Sequence, residues 1–198
     1  MKSLQNGKPY PMRLEADLGM RSIAIGLMIG LGILTLGGAL ITPYSPSSQT
    51  PTQYNIFRVI LATYTPLLTP ISSAAGVRMV GGGGPQGAIP ILIWLVAALA
   101  TGIALRDPGR SGKAMFASAS IILLLWIASV FLSAPTWPDL NSWLTEVDLL
   151  TSDLISRPID IISLFTIPTG LAILAAQIAQ LKRRPVRTET SIDEDYYL

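Results

Sequence analysis

Four long runs of apolar residues divide the chain. They cover about residues 22–42, 88–105, 114–133 and 161–181, and none contains a charged residue. The hydrocarbon core of a bilayer is about 30 Å thick, and a helix needs roughly 20 residues to cross it. A backbone in lipid must satisfy its own hydrogen bonds, so runs of this length are expected to be helical. The pattern predicts an all-α integral membrane protein with a four-transmembrane-helix bundle spanning residues 22–181.

The segment between the first two runs is the first predicted outer loop, and it is long and partly apolar. Its stretch 59–77 carries no charge, but Pro66 and Pro70 interrupt it, and Thr and Ser residues lower its hydrophobicity. A fifth span here would also reverse the side of the later basic clusters. We therefore predict that residues 55–80 either lie on the membrane surface or re-enter the membrane and pack on the bundle.

The segment between the third and fourth runs has the pattern of an amphipathic helix over about residues 138–156. Thr136 and Asp139 have capping-box spacing, and Pro138 suits a first helical turn. One apolar stripe recurs every three or four residues: Leu140, Trp143, Leu144, Val147, Leu150 and Leu154. The acidic side chains Glu146, Asp148 and Asp153 are predicted to face away from it. This pattern favours a short outer amphipathic helix lying on the membrane surface.

The Lys and Arg residues predict the orientation. They cluster before the first run, in the turn between the second and third runs, and after the fourth. Of the 14 basic residues, only Arg58, Arg78 and Arg157 fall on the other side. Basic residues concentrate in cytoplasmic segments, so this distribution predicts a multi-pass protein of the cell membrane with both termini in the cytoplasm. Residues 1–21 form the cytoplasmic N-terminal segment, and the polar, acidic tail 182–198 is predicted to be disordered.

Composition agrees with a membrane protein and narrows the chemistry. The 198 residues are 50% hydrophobic and only 13% charged, whereas soluble domains carry roughly 25% charged residues. A net charge of +2 gives no reason to expect nucleic acid as a partner. The chain has neither Cys nor His, so it cannot itself supply a Cys/His zinc site, a His-ligated haem or a His-based triad. We predict no catalytic, metal or cofactor-binding residues, and no enzyme in this chain alone.

Small residues mark faces of the first two predicted helices. Gly26, Gly30 and Gly37 share a face of the first helix, and Ala98 and Gly102 repeat the small-residue spacing in the second. Small residues let helix backbones approach closely in lipid. Two interpretations stay open, namely packing within the bundle of this chain and contact with another subunit.

Polar and small residues form a possible seam along the fourth helix, at Thr166, Pro168, Thr169, Gly170 and Gln177. A proline inside a helix frees a carbonyl, and nearby Thr hydroxyls can satisfy such groups. The seam is either a kink with local hydrogen bonds or the lining of a substrate path.

Four charged residues of the outer segments are candidates for ion pairing. Arg58 and Arg78 flank the uncharged stretch of the first outer loop, where they mark its two ends or meet the acidic outer helix. Arg157 and Asp160 lie three residues apart before the fourth run, a spacing that suits an ion pair.

These observations favour a non-catalytic structural or accessory subunit of a larger membrane protein complex. Its expected partners are the lipid bilayer and other membrane protein subunits. One alternative is an uncoupled small-molecule or lipid transport or binding protein that uses the seam on the fourth helix. A second alternative is a membrane sensor that docks a partner through its acidic tail.

Overall fold

The computed structural model describes residues 12–41, 52–80 and 84–181. Regular structure in these residues is helical. Seven α-helices follow one another along the chain: α1 (Met12–Ile41), α2 (Thr52–Leu68), α3 (Pro70–Ala74), α4 (Ile89–Leu105), α5 (Pro108–Leu132), α6 (Leu140–Ile155) and α7 (Pro158–Leu181). A short 3₁₀ turn, Ala134–Thr136, precedes α6. The predicted tail 182–198 and most of the predicted N-terminal segment lie outside the described residues.

Three of these helices are long and apolar enough to cross a membrane. They are α1 from Met20 to Ile41, α5 and α7, which fits a membrane protein. Helix α4 is apolar but has 17 residues, which is about 26 Å at 1.5 Å per residue. It coincides with the second predicted run and is shorter than the roughly 20 residues that a span usually needs.

Helix α5 begins earlier than predicted. It starts at Pro108 instead of residue 114, because Pro is favoured in a first turn and Asp107 caps the helix by accepting the Arg110 N–H at 3.0 Å. The Arg110 side chain also pairs with Asp107 at 3.4 Å. Helix α4 is capped at its C-terminal end by Arg106, whose φ of 54° is left-handed. The turn between the two helices is therefore Arg106 and Asp107.

Helix α7 also begins earlier than predicted, at Pro158 instead of residue 161. Asp160 consequently lies within its first turn and is buried. Asp160, which the sequence places just before the fourth apolar run, is therefore part of the helix. Helix α7 continues through Pro168 to Leu181.

Helices α1, α4, α5 and α7 pack together as a bundle. Helix α4 packs most extensively against α7 and α1, and α5 packs against α7 and α1. The core contains large side chains from each neighbour, among them Leu34, Met115, Ile122, Trp126 and Leu164. Many large apolar side chains remain exposed on the outer faces of these helices, as lipid-facing surfaces require.

Helices α2 and α3, here called the insert, pack into one end of the bundle. Helix α2 contacts α5 and α1, and α3 contacts α4 and α7. Leu67 and Leu68 at the end of α2 are fully buried. We call this end, where α1 ends and α4 and α7 begin, the insert end. Residues 55–80 therefore pack on the bundle, and their placement relative to a membrane stays a prediction.

Two sequence predictions for α6 are wrong, one about its cap and one about a side chain expected to face away from the apolar stripe. Asp139 is its N-cap and accepts the Ser142 N–H at 2.6 Å, and these Ser142 hydrogen bonds lower the pKa of Asp139. Thr136 is not the cap, because it belongs to the 3₁₀ turn and its hydroxyl donates to the Ser133 carbonyl.

The predicted apolar stripe of α6 divides in two. Leu150 is buried and the Trp143 indole N–H donates to the Val130 carbonyl at 3.1 Å, whereas Leu140 and Leu144 are exposed. Glu146 was predicted to face away from the stripe but is half-buried.

Candidate functional site

The insert changes direction at Thr69. A residue that precedes proline is disfavoured in the α conformation, and Thr69 has φ −122° and ψ 60°. Pro70 has no N–H, so α2 ends at Leu68 and α3 begins anew at Pro70. This break leaves the first N–H groups of α3 and the last carbonyls of α2 without helical partners. In a buried place such groups need partners from elsewhere.

Asp160 of α7 supplies acceptors at the break. Its Oδ1 atom accepts the backbone N–H groups of Ile71 and Ser72, each at 3.1 Å. Its Oδ2 atom accepts the Ser72 hydroxyl. The side chain is only 3% exposed. One buried carboxylate therefore joins α7 to the start of α3.

Two tryptophans supply donors to the end of α2. The Trp94 indole N–H of α4 donates to the Leu67 carbonyl at 2.9 Å. The Trp126 indole N–H of α5 donates at 2.9 Å to the Thr65 hydroxyl, which in turn donates to the Leu61 carbonyl at 2.6 Å. Both indoles thus combine apolar burial with a satisfied N–H.

Helix α1 holds the insert from the remaining side. The hydroxyl groups of Thr35 and Tyr64 are hydrogen-bonded at 2.8 Å. Gly38 lies so close to α2 that a Cβ atom there would overlap the Thr63 carbonyl oxygen. The insert is therefore in direct contact with α1, α4, α5 and α7.

The chain after α3 is also fixed to the bundle. The buried Ser73 hydroxyl accepts the Gln86 N–H at 2.9 Å. The Arg157 guanidinium donates to the Arg78 carbonyl. Arg157 and Asp160 therefore do not form the predicted ion pair, because each bonds to the insert or to the chain that follows it.

A groove of about 280 Å³ opens beside the insert, and we call it the insert groove. It lies between α2, α6 and the segment at Met79 and Val80. Its lining residues are mostly apolar: Leu61, Ala62, Thr65, Pro66, Met79, Val80, Trp137 and Leu150, with Arg58 and Glu146 as the charged members.

The two charges of the insert groove come from different elements. The guanidinium carbon of Arg58 lies 5.2 Å from the centroid of the Trp137 ring, a cation–π distance. Partial burial raises the pKa of Glu146, and the charge of Arg58 acts in the opposite direction. Arg58 thus lies near α6, as one of the two sequence interpretations expected. Glu146 lines this groove, although the sequence pattern predicts that it faces away from the apolar stripe.

The candidate seam residues of α7 do not line a common cavity in the described residues. Thr166 and Gln177 are exposed, and the Thr166 hydroxyl donates to the Ile162 carbonyl of its own helix at 2.9 Å. Pro168 is buried, Thr169 has a buried hydroxyl without a partner in this part of the chain, and Gly170 has open space beside it. The cavity beside Pro168 measures about 30 Å³, roughly the volume of one water molecule.

The small residues singled out in α1 and α4 face other helices of this chain. A Cβ at Gly26 would meet Leu105 and Ala114, one at Gly30 would meet Ser118, one at Gly37 would meet Ile93, and one at Gly102 would meet the Ala172 carbonyl. Ala98 is fully buried in the core. Close helix packing within the bundle accounts for these positions.

Comparison of the chain with family models, with curated proteins and with solved structures finds no match.

Proposed function

We propose that the protein is a non-catalytic structural or accessory subunit of a larger membrane protein complex. The observation that carries the proposal is the way the insert is held. Hydrogen bonds or close contacts from α1, α4, α5 and α7 fix it, so the side chains that make these contacts serve internal structure. Such an arrangement suits a rigid surface that a partner recognises.

The proposal includes four crossings of the cell membrane with both termini in the cytoplasm. The distribution of Lys and Arg supports this orientation, since the turn at Arg106 and Arg110 belongs to the basic side. Helix α4 is short for a span, but its neighbours α1 and α7 are longer and flank it. The insert packs against the start of α4. Protein therefore covers the end of α4 that, in a helix of this length, does not reach the membrane surface.

A transport path along α7 has less support. The cavity of about 30 Å³ beside Pro168 is far smaller than ordinary ligand sites, which measure roughly 300–1,000 Å³. The sensor hypothesis depends on the tail 182–198, which lies outside the described residues.

The test combines purification of the protein with its partners and measurement of how the partner complex assembles without it. The full chain carries a C-terminal tag, is extracted in a mild detergent, and is examined by native electrophoresis and mass spectrometry. We expect a stoichiometric membrane protein partner, and we expect the complex of that partner to assemble poorly in a strain that lacks this protein. A matched pair of variants sharpens the result: Asp160→Ala, which releases the insert, weakens the association, whereas Gly32→Ala, with open space around it, does not.

Recovery of the protein alone, with normal assembly of every membrane complex in the deletion strain, would contradict the proposal.

A further inference from the structure

The insert groove contains a positive and a negative side chain that do not satisfy each other. Arg58 and Glu146 both line the groove, but within the described residues they form neither a salt bridge with each other nor a hydrogen bond with another group. The contact that Arg58 does make is with the face of the Trp137 ring. The groove thus offers one donor group and one acceptor group to a ligand.

The environment of Glu146 favours a cationic partner. Half-burial removes part of the water that an ionised carboxylate needs, and this desolvation raises the pKa of Glu146. The charge of Arg58 offsets the effect without making a direct contact. A cation brought within hydrogen-bonding distance of the carboxylate would remove the remaining penalty.

The two charges together select the class of ligand. A simple anion at Arg58 would be repelled by Glu146, and a simple cation at Glu146 would be repelled by Arg58. A molecule with a phosphate and an ammonium group satisfies both side chains at once. The groove volume of about 280 Å³ is near the lower limit of ordinary ligand sites, which suits a headgroup.

The apolar lining and the position of the groove indicate the source of that headgroup. Leu61, Pro66 and Leu150 supply apolar surface in the same groove as the two charges. Trp137 contributes an amphipathic ring of the kind that is enriched at membrane interfaces. The groove also lies at the end of the bundle where α1 ends and α7 begins, which is one end of the helices that are long and apolar enough to cross a membrane.

We propose that the insert groove binds the headgroup of a zwitterionic phospholipid, with the phosphate at Arg58 and the ammonium group at Glu146. The glycerol and the first carbons of the acyl chains lie on the apolar lining. This inference goes beyond the proposed subunit function and stands whether or not a protein partner is found.

Native mass spectrometry of the purified, delipidated full chain tests the site. Phosphatidylethanolamine is titrated against phosphatidylglycerol, which has the phosphate but no ammonium group. We expect tighter binding of phosphatidylethanolamine, and a loss of about tenfold in that affinity for Arg58→Gln and for Glu146→Gln. Arg78→Gln and Asp148→Asn change the same charges outside the groove lining and should bind as the wild type does.

The ratio of the two lipids separates recognition from a loss of structure. Glu146→Gln removes the group that rejects an anionic lipid, so its preference for phosphatidylethanolamine should fall toward one while phosphatidylglycerol binding is kept. Equal binding of both lipids by the wild type, or an unchanged ratio in Glu146→Gln, would overturn the proposal. Glycerophosphoethanolamine, which lacks acyl chains, is the third probe. If it binds as tightly as the diacyl lipid, the ligand is a soluble zwitterion and the assignment to a membrane lipid is wrong.

Discussion

Asp160 is a buried side chain whose hydrogen bonds join two helices in the described residues. A buried carboxylate loses hydration, and that loss is costly unless donors replace the water. Two backbone N–H groups and one hydroxyl replace it here, and all three come from the first turn of α3. The same contacts satisfy donors that the break at Thr69 leaves without helical partners.

Removal of this carboxylate should loosen the insert. Asp160→Ala leaves two buried N–H groups without acceptors, which should lower the free energy of unfolding by about 2–5 kcal/mol. Asp160→Asn keeps one carbonyl acceptor and should cost less. Thermal unfolding in a mild detergent measures both variants, with the exposed Asp148→Asn as the control. Equal stability of Asp160→Ala and the wild type would show that the carboxylate does not hold the insert.

Two glycines of α1 make a matched test of the contact with α2. Gly38→Ala should lower the free energy of unfolding by roughly 1–3 kcal/mol, because the new Cβ overlaps the Thr63 carbonyl oxygen, which is backbone and cannot rotate away. Gly32→Ala meets nothing within 4 Å and should be neutral or stabilising, since alanine favours a helix. The comparison uses the same unfolding assay, and equal effects of the two substitutions would place α2 further from α1.

Glu146 should make stability depend on pH in a defined direction. Its pKa in the folded protein is raised above the usual 4.5, chiefly by burial, so the folded state takes up a proton more readily than the unfolded state. The contribution of Glu146 is therefore most favourable below pH 4.5 and is lost as the pH rises through the folded-state pKa. Glu146→Gln removes this dependence and should unfold at a higher temperature than the wild type at pH 7.5, with little difference at pH 4. A wild type that remains more stable at pH 7.5 would show that the carboxylate is adequately paired.

At the scale of elements, the insert is the feature that distinguishes this bundle. The break between α2 and α3 follows from Pro70, which has no N–H to continue α2, whereas Pro66 lies inside α2. Three helices of the bundle then supply hydrogen-bond partners near the break: Trp94 from α4 and Trp126 from α5 as donors, and Asp160 from α7 as an acceptor. The insert and the bundle are therefore stabilised by the same set of hydrogen bonds.

This shared role predicts coupling between two of those side chains. Trp94→Phe keeps the ring but removes the donor to the Leu67 carbonyl, and should cost about 1–3 kcal/mol. Because Trp94 and Asp160 bond to opposite sides of one break, their effects should not add. A double-mutant cycle of Trp94→Phe with Asp160→Asn should give an interaction energy of at least about 0.5 kcal/mol. The cycle of Trp94→Phe with Gly32→Ala is the additive control, and additivity in both cycles would show that the two contacts act separately.

The sequence predicts the helices better than it predicts the site. Apolar runs identified α1, α4, α5 and α7, and the prolines identified the interrupted segment between α1 and α4. The burial of Asp160 is not predicted, because an acid beside an apolar run has the pattern of a boundary residue. Its carboxylate accepts hydrogen bonds from N–H groups far away in the chain, which the sequence does not reveal. The hydrogen bonds of Trp94 and Trp126 are predicted only in part. A buried indole N–H needs an acceptor, but the sequence does not show which group accepts it. Glu146 does not face away from the bundle, because a groove lined by α2 and α6 lies on that side of α6 and helical periodicity does not reveal it.

For the whole molecule, we propose that the insert enters one end of a bundle that crosses the membrane four times. Helix α4 is the element on which this claim depends, because its 17 residues are fewer than in the three other long helices. If α4 crosses, its two ends lie on opposite sides of the membrane. The insert end and the turn at Arg106 and Asp107 are then separated by the bilayer.

Cysteine labelling measures this directly, because the chain has no cysteine of its own. Single cysteines replace Gly84 before α4, Gly109 after it and Asn141 at the start of α6, which are all exposed. A membrane-impermeant maleimide is applied to intact cells and to permeabilised cells. The account predicts that Gly84→Cys and Asn141→Cys are labelled in intact cells, and that Gly109→Cys is labelled only after permeabilisation. Labelling of all three positions in intact cells, or of none, would mean that α4 and α5 do not cross and would contradict the four-span bundle.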